Sequence, residues 1–200
     1  MFDAVFVRKP MRKTGFLVIG IGNRNRGDDA IGPLVAERVS GLEAMEKAGV
    51  EVRVHSGEGA SLMELWRGAR RVVIIDAMKS GAGAGLIKRF DAGRERVASG
   101  VFRYSSHLFS LAEAVELSRA LGRMPETMII YGVEGRNFSF GAPMTPEVAA
   151  ALSEVAARAA EEFACGGMET KTESTSPGER GSAGDRTGKK PCTKCRCAKA

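Results

Sequence analysis

Four residues of this chain have the types and positions for metal or acid–base chemistry: Asp28 and Asp29 in "GIGNRNRGDDAIGP", Asp76 in "VVIIDAMKSGAG" and His107 in "YSSHLFSLAEAVEL". The first stretch, residues 20–33, follows the apolar run Phe16-Leu17-Val18-Ile19 and precedes a segment with helical periodicity. A glycine-rich strand-to-helix corner ordinarily cradles phosphate, because backbone amides and a helix N-terminus attract an anion. Fixed carboxylates repel an anion, so Asp28 and Asp29 point to a cation instead. Two carboxylates and an imidazole suit a divalent ion, and three protein ligands leave coordination positions open for a substrate.

Each candidate has a plainer reading beside the chemical one. Asp28 stands where a helix N-cap would, accepting from the amide of Ala30 or Ile31. Asp29 then falls in the first turn, where the helix dipole favours an ionised carboxylate, whether as a metal ligand or as a dipole-complementing surface acid. Asp76 closes an apolar strand and needs a charged, metal or amide partner there, the amides of the following loop being the structural option. His107 is either a ligand or a capping histidine at the edge of the core. His55 ends "VEVRVH" and reads first as a strand-end hydrogen-bonding residue, then as a cleft liner. In the loop behind it, Gly57 and Gly59 permit close backbone approach, and Ser61 with Glu64 has the spacing of a capping box. Asn23, Gly57, Gly59 and Glu134 (in "YGVEGRNF") are weaker candidates for substrate contact at the same sheet edge.

What positions these residues is an alternation of strands and helices. Apolar, β-branched runs at 16–21, 50–54, 71–76, 86–90 and 127–133 alternate with helical patterns near 30–47, 61–68, 109–121 and 146–164. The pattern predicts an α/β fold of phosphorylase/hydrolase-like type: a three-layer sandwich with a mostly parallel, twisted five-stranded sheet and helices on both faces. Runs such as "VVIID", apolar on both faces, are central strands of a sheet covered on both sides. Ile31, Leu34, Val35, Val39 and Leu42 form the buried stripe of the first helix, with Pro33 in its first turn. Thr145-Pro146 opens the last helix, whose stripe is Val148, Leu152, Val155, Ala159 and Phe163. In such sheets ligands bind beyond the carboxyl ends of the strands, where Asp28, Asp29, Asp76 and His107 all fall.

Composition bounds the class. At 200 residues and 44% apolar, the chain predicts one domain with a substantial core. Most of the net charge of +6 resides in the tail: eight Lys or Arg and four acids follow residue 165, and residues 1–165, with 22 bases and 20 acids, are near neutral. A basic fold for nucleic acid is therefore not expected. The predicted organisation is an N-terminal extension at 1–14, an α/β domain at 15–165, and a disordered basic tail at 166–200 containing Cys192, Cys195 and Cys197. "MFDAVFVRKPMRKTG" lacks a secretory apolar core, and no run approaches the ~20 residues of a membrane span, which predicts a cytoplasmic location with reduced thiols.

The ordered blocks strand-GIGN-(four residues)-DDAIG, GEGASLMEL, VVIIDA, SSHLFSLAEAVELSRAL, YGVEG and a final helix opened by Thr-Pro resemble the nickel-iron hydrogenase maturation endopeptidases across residues 15–164. The resemblance implies that Asp29, Asp76 and His107 bind the metal and serve catalysis. Some family members carry Glu in place of Asp29, which leaves a possible assisting role for Asp28. It further implies an enzyme that removes a C-terminal peptide from a nickel-loaded large-subunit precursor, just beyond that subunit's terminal cysteine motif. Nickel would arrive with the substrate, and the resting enzyme, expected to be a monomer without nucleic-acid or membrane partners, would be largely metal-free. The basic cysteine tail is outside the family pattern.

Two other readings compete. Gly20 and Gly22 begin a dinucleotide-binding G-x-G-x-x-G, but position 25 is Asn, the loop is acidic, and His55 stands where a ribose-binding acid belongs. A metal-delivery or scaffolding factor acting through "CTKCRC" has three thiols, one short of a structural zinc site. No Ser or Cys nucleophile paired with a His emerges, which leaves a carboxylate or a metal-activated water as the base for peptide hydrolysis.

Overall fold

The computed structural model describes residues 15–97, 102 and 110–164. The N-terminal extension, His107, Cys165 and the tail cysteines Cys192, Cys195 and Cys197 lie outside the described residues. The elements run β1 (Phe16–Ile21), a 3-10 turn (Gly27–Ala30), α1 (Ile31–Ser40), α2 (Glu43–Lys47), β2 (Glu51–His55), α3 (Gly59–Leu65), β3 (Arg71–Met78), β4 (Ile87–Asp91), α4 (Leu111–Ala120), β5 (Thr127–Glu134) and α5 (Pro146–Ala164). The strand order is β2-β1-β3-β5-β4. β2, β1, β3 and β5 run parallel, and β4 closes one edge antiparallel to β5.

The period-two alternation of the strands sorts their side chains into two cores. Leu17, Ile19, Val72, Ile74, Met128 and Ile130 face one side, where Leu62 and Trp66 at α3 and Leu111 and Val115 of α4 cover them. Val18, Val73, Ile75, Ile129 and Val133 face the other, covered by Ile31, Val35 and Val39 of α1 and Val148, Val155 and Phe163 of α5. This is the three-layer sandwich that runs apolar on both faces require. β1 thus sends its following helix, α1, to one face, while α3, which follows β2, goes to the other. The chain changes direction between β1 and β3, and the carboxyl edge of those two strands is the topological switch point where open α/β sheets bind ligands.

Glycine sets how closely α1 approaches that edge. A Cβ on Gly32 would lie 2.1 Å from the Ile21 carbonyl oxygen, and one on Gly20 would lie 2.1 Å from the Gly32 carbonyl oxygen. Helix and strand backbones are therefore in direct contact, drawing the Gly27–Ala30 turn over the end of β1.

Several local expectations are corrected. The helix expected at 30–47 breaks at Gly41, because Leu42 adopts an extended conformation and restarts the chain as α2; Leu42 is 37% exposed and leaves the buried stripe. Ser61 and Glu64 do not form the capping box. Glu58 caps α3, its carboxylate accepting from the amides of Ala60 and Ser61 at 2.8 Å each. β3 continues through Ala77 and Met78, so Asp76 lies within the strand, in register with Gly132 of β5.

Candidate active site

Past Ile21 the chain turns at Gly22, whose φ of 136° and whose missing Cβ, 1.9 Å from the Asp29 carbonyl oxygen, exclude a side chain. The Gly22 amide donates to the His55 carbonyl at 3.0 Å, tying this loop to the end of β2. The following turn then presents its two acids in different directions.

Asp28 does not cap α1. It is fully buried, and its carboxylate accepts from the amides of Arg136, Asn137 and Thr145 at 2.8, 2.8 and 2.7 Å and from the Thr145 hydroxyl at 2.9 Å. It pins the turn to the segment between β5 and α5, over more than 100 residues of sequence. Burial raises its pKa, but the amides of Asn137, Thr145 and Arg136 and the Thr145 hydroxyl outweigh that and hold it below the ordinary carboxylate value. The Thr145 expected to cap α5 thus spends its hydroxyl proton on Asp28.

Asp29 faces the other way, into a cavity of about 410 Å³ that Asp76 also lines. It is 9% exposed, so it is no surface acid. Its Oδ2 accepts from the Asn23 amide at 2.9 Å. Burial raises its pKa above the ordinary value, against the opposing pull of the Asn23 amide and the Arg26 charge. Asp76 enters the same cavity from β3 at 8% exposure. Its burial, and next the negative charge of Asp29, raise its pKa well above the ordinary value, and a hydrogen bond from the Ala77 amide only partly offsets them. Two buried carboxyls thus share one solvent-reaching cavity, where the charge of one opposes ionisation of the other, a repulsion that a bound cation would relieve. The loop is unfit for phosphate, since the Asn23 amide is already taken by Asp29.

His55 and Asn23 line the cavity as well, with Arg26 and Phe102, which the sequence did not single out. His55 Nδ1 accepts from the Gly57 amide at 3.0 Å, so its neutral ring carries the proton on Nε2, 2.9 Å from the Ser61 hydroxyl. Ser61 in turn donates to the Glu58 carbonyl at 3.1 Å. With that polarity His55 gives Ser61 no base, and the pair is no nucleophilic dyad.

The weaker candidates separate. Gly57, Gly59 and Glu134 do not line the cavity. Gly57 orients His55 instead, Gly59 is the buried first residue of α3, and Glu134 accepts from the Ser80 and Gly81 amides and the Ser80 hydroxyl, anchoring the loop after β3. Among the described residues, no group of three or more His, Cys, Asp and Glu is arranged to hold a metal. Asp29 and Asp76 supply two oxygen donors, and the third predicted ligand, His107, is outside the described residues.

A sequence profile described as "HycI: Hydrogenase maturation protease" matches residues 39–162, a span that contains Asp76 and begins after Asp29. The hydrogenase expression/formation protein HupD of Thiocapsa roseopersicina is 26% identical over 133 residues, 66% of this chain; the chain spans 60% of the length of that relative. Among solved structures, the fold is similar to the [NiFe] hydrogenase maturation protease HybD from Thermococcus kodakarensis (TM-score 0.56, 21% identity, 74% of this chain and 98% of that one). It is similar as well to the hydrogenase maturating endopeptidase HybD from E. coli (TM-score 0.53, 21% identity, 74% and 93%). With a profile match over more than half its length and this α/β architecture around the paired acids, the chain belongs to the hydrogenase maturation protease family.

Proposed function

We propose that this chain is an endopeptidase that removes the C-terminal peptide from the nickel-loaded precursor of a nickel-iron hydrogenase large subunit, recognising the nickel that the precursor carries. The observation that supports this reading is the meeting of Asp29 and Asp76 in one cavity at the β1/β3 switch point, both with raised pKa values. Carboxylates hold nickel less firmly than the thiolates of a cysteine motif do. The protein therefore needs no resident ion, and Asp29, Asp76 and His107 are the ligands we assign to the nickel that a docked precursor brings.

Nickel on the precursor relieves the repulsion between the two carboxylates, so binding is favoured only for a loaded substrate. The Asn23 amide fixes the Asp29 carboxylate toward the cavity. Among the described residues no helix is long and apolar enough to cross a membrane, and we place the reaction in the cytoplasm, on a monomeric enzyme.

The test presents equal amounts of nickel-loaded and nickel-free precursor to the protein and follows the released peptide by mass spectrometry. Release from the loaded form alone is expected. Comparable release from both overturns recognition through nickel, and release from neither overturns the protease assignment.

A further inference from the structure

β2 ends the sheet on the side opposite β4, and among the described residues no strand pairs with its outer edge. Its hydrogen-bonding polarity is fixed by one contact. The His55 carbonyl accepts from the Gly22 amide of the chain leaving β1. Within a strand the N–H and C=O of one residue point to the same side and those of the next residue to the other. The backbone groups of His55 and Arg53 therefore face β1, and those of Val52 and Val54 face outward. Such an edge is a template for another extended chain.

Where this edge leads gives it a function. Val54, His55 and Ser56 line the cavity that holds Asp29 and Asp76. Val54 is an apolar residue left 46% exposed there. Val54, whose backbone groups face outward, thus lines the same cavity as the carboxylate pair. A protease must hold its substrate extended, and strand addition to a free edge does this through main-chain hydrogen bonds that do not depend on the substrate's side chains.

We propose that the precursor's C-terminal segment binds by adding a strand to the outer edge of β2, pairing with the backbone groups of Val52 and Val54, which leads its scissile region into the cavity. This rests on the protease reading above and names how the peptide is held. The charged pair Arg53–Glu51 lies on the same short strand, and charged side chains of this kind discourage edge-to-edge pairing between copies.

The test compares processing of nickel-loaded precursor by the wild-type protein, Val54→Ala and Val54→Pro. Proline removes the outward N–H, which an edge strand tolerates, whereas alanine alters the side chain alone. Relative to Val54→Ala, Val54→Pro is expected to raise KM by about fivefold or more, the worth of one hydrogen bond, and to lower kcat less. Circular dichroism checks that the proline variant folds. Independently of any variant, synthetic peptides spanning the cleavage region, N-methylated at one backbone nitrogen each, are assayed as inhibitors of wild-type processing. Strand addition predicts that inhibition weakens at alternate positions.

Equal KM values for the alanine and proline variants, or an N-methyl scan without a period of two, overturn the edge-strand proposal while wild-type processing leaves the protease reading intact. A change in oligomeric state of Val54→Pro with no change in KM assigns the edge to a second copy and overturns it as well. Absence of processing by the wild-type protein overturns both.

Discussion

Four hydrogen bonds converge on the Asp28 carboxylate, all from groups between Arg136 and Thr145. Replacing it with alanine leaves three backbone amides and a hydroxyl without their acceptor in a buried place. Each such loss costs roughly 1–3 kcal/mol, and partial rearrangement brings the total to about 3 kcal/mol, read as a lower urea midpoint for Asp28→Ala. Because its folded pKa is depressed below 3.8, Asp28 stabilises the fold above that pH, and the contribution is lost as pH falls through the folded value. Asp76 behaves oppositely. Its folded pKa is raised, so ionising it opposes folding as pH climbs from 3.8 toward the folded value. Asp76→Asn is accordingly expected to abolish precursor processing yet raise the urea midpoint at pH 7, with the gain disappearing below about pH 4; an unchanged midpoint at pH 7 would falsify this. The sequence marked both acids of the pair but assigned Asp28 a local cap. Its true partners lie more than 100 positions away, and nothing in a local spacing signals them. Asp29 and Asp76 were legible because strand ends at a switch point are where ligands bind.

At the scale of elements, α5 is fixed to the sheet through Glu162 as well as through its apolar stripe. Its carboxylate accepts from the Tyr131 hydroxyl of β5 at 2.8 Å and from the Arg89 guanidinium of β4 at 2.8 and 3.3 Å, and its carbonyl accepts from Arg71 of β3. Burial raises the Glu162 pKa, and the bonds from Arg89 and Tyr131 more than reverse it, leaving it below the ordinary 4.5. The stability it contributes is therefore present above 4.5 and lost as pH falls through the folded value. Arg89 is partly exposed, so solvent limits the worth of the pair to about 1 kcal/mol. Glu162→Gln is expected to lower the unfolding free energy from urea titration by that amount at pH 7, and the difference from wild type narrows in acid; a constant difference across pH would show that the charge is not responsible. The sequence marked Val148, Val155, Ala159 and Phe163 as the buried face of this helix, which a 3.6-residue period makes visible. It carried no sign of the Tyr131–Glu162–Arg89 contact, since polar partners on separate elements have no periodicity.

For the molecule as a whole, the two cores share their strands. Leu17, Ile19, Val72, Ile74, Met128 and Ile130 belong to one core, and Val18, Val73, Ile75, Ile129 and Val133, alternating with them along the same three strands, belong to the other. Neither helical layer can leave without exposing strands that the other layer needs, so the layers should unfold together. The fold class was legible for the same reason: only a sheet covered on both faces accommodates strands apolar at every position. The cavity was not, because it forms where β1, β2, β3 and the turn before α1 converge. Cooperativity has a convenient probe in Trp66, the single tryptophan, which is buried in the α3/α4 core and donates to the Ser118 hydroxyl at 3.3 Å. Far-UV circular dichroism reports both helical layers, whereas Trp66 reports one. In a chain restricted to residues 15–164, which spans both cores from Leu17 to Phe163, the two signals are expected to give one coincident urea transition. A Trp66 transition displaced from the dichroism transition would mean that the α3/α4 layer detaches on its own.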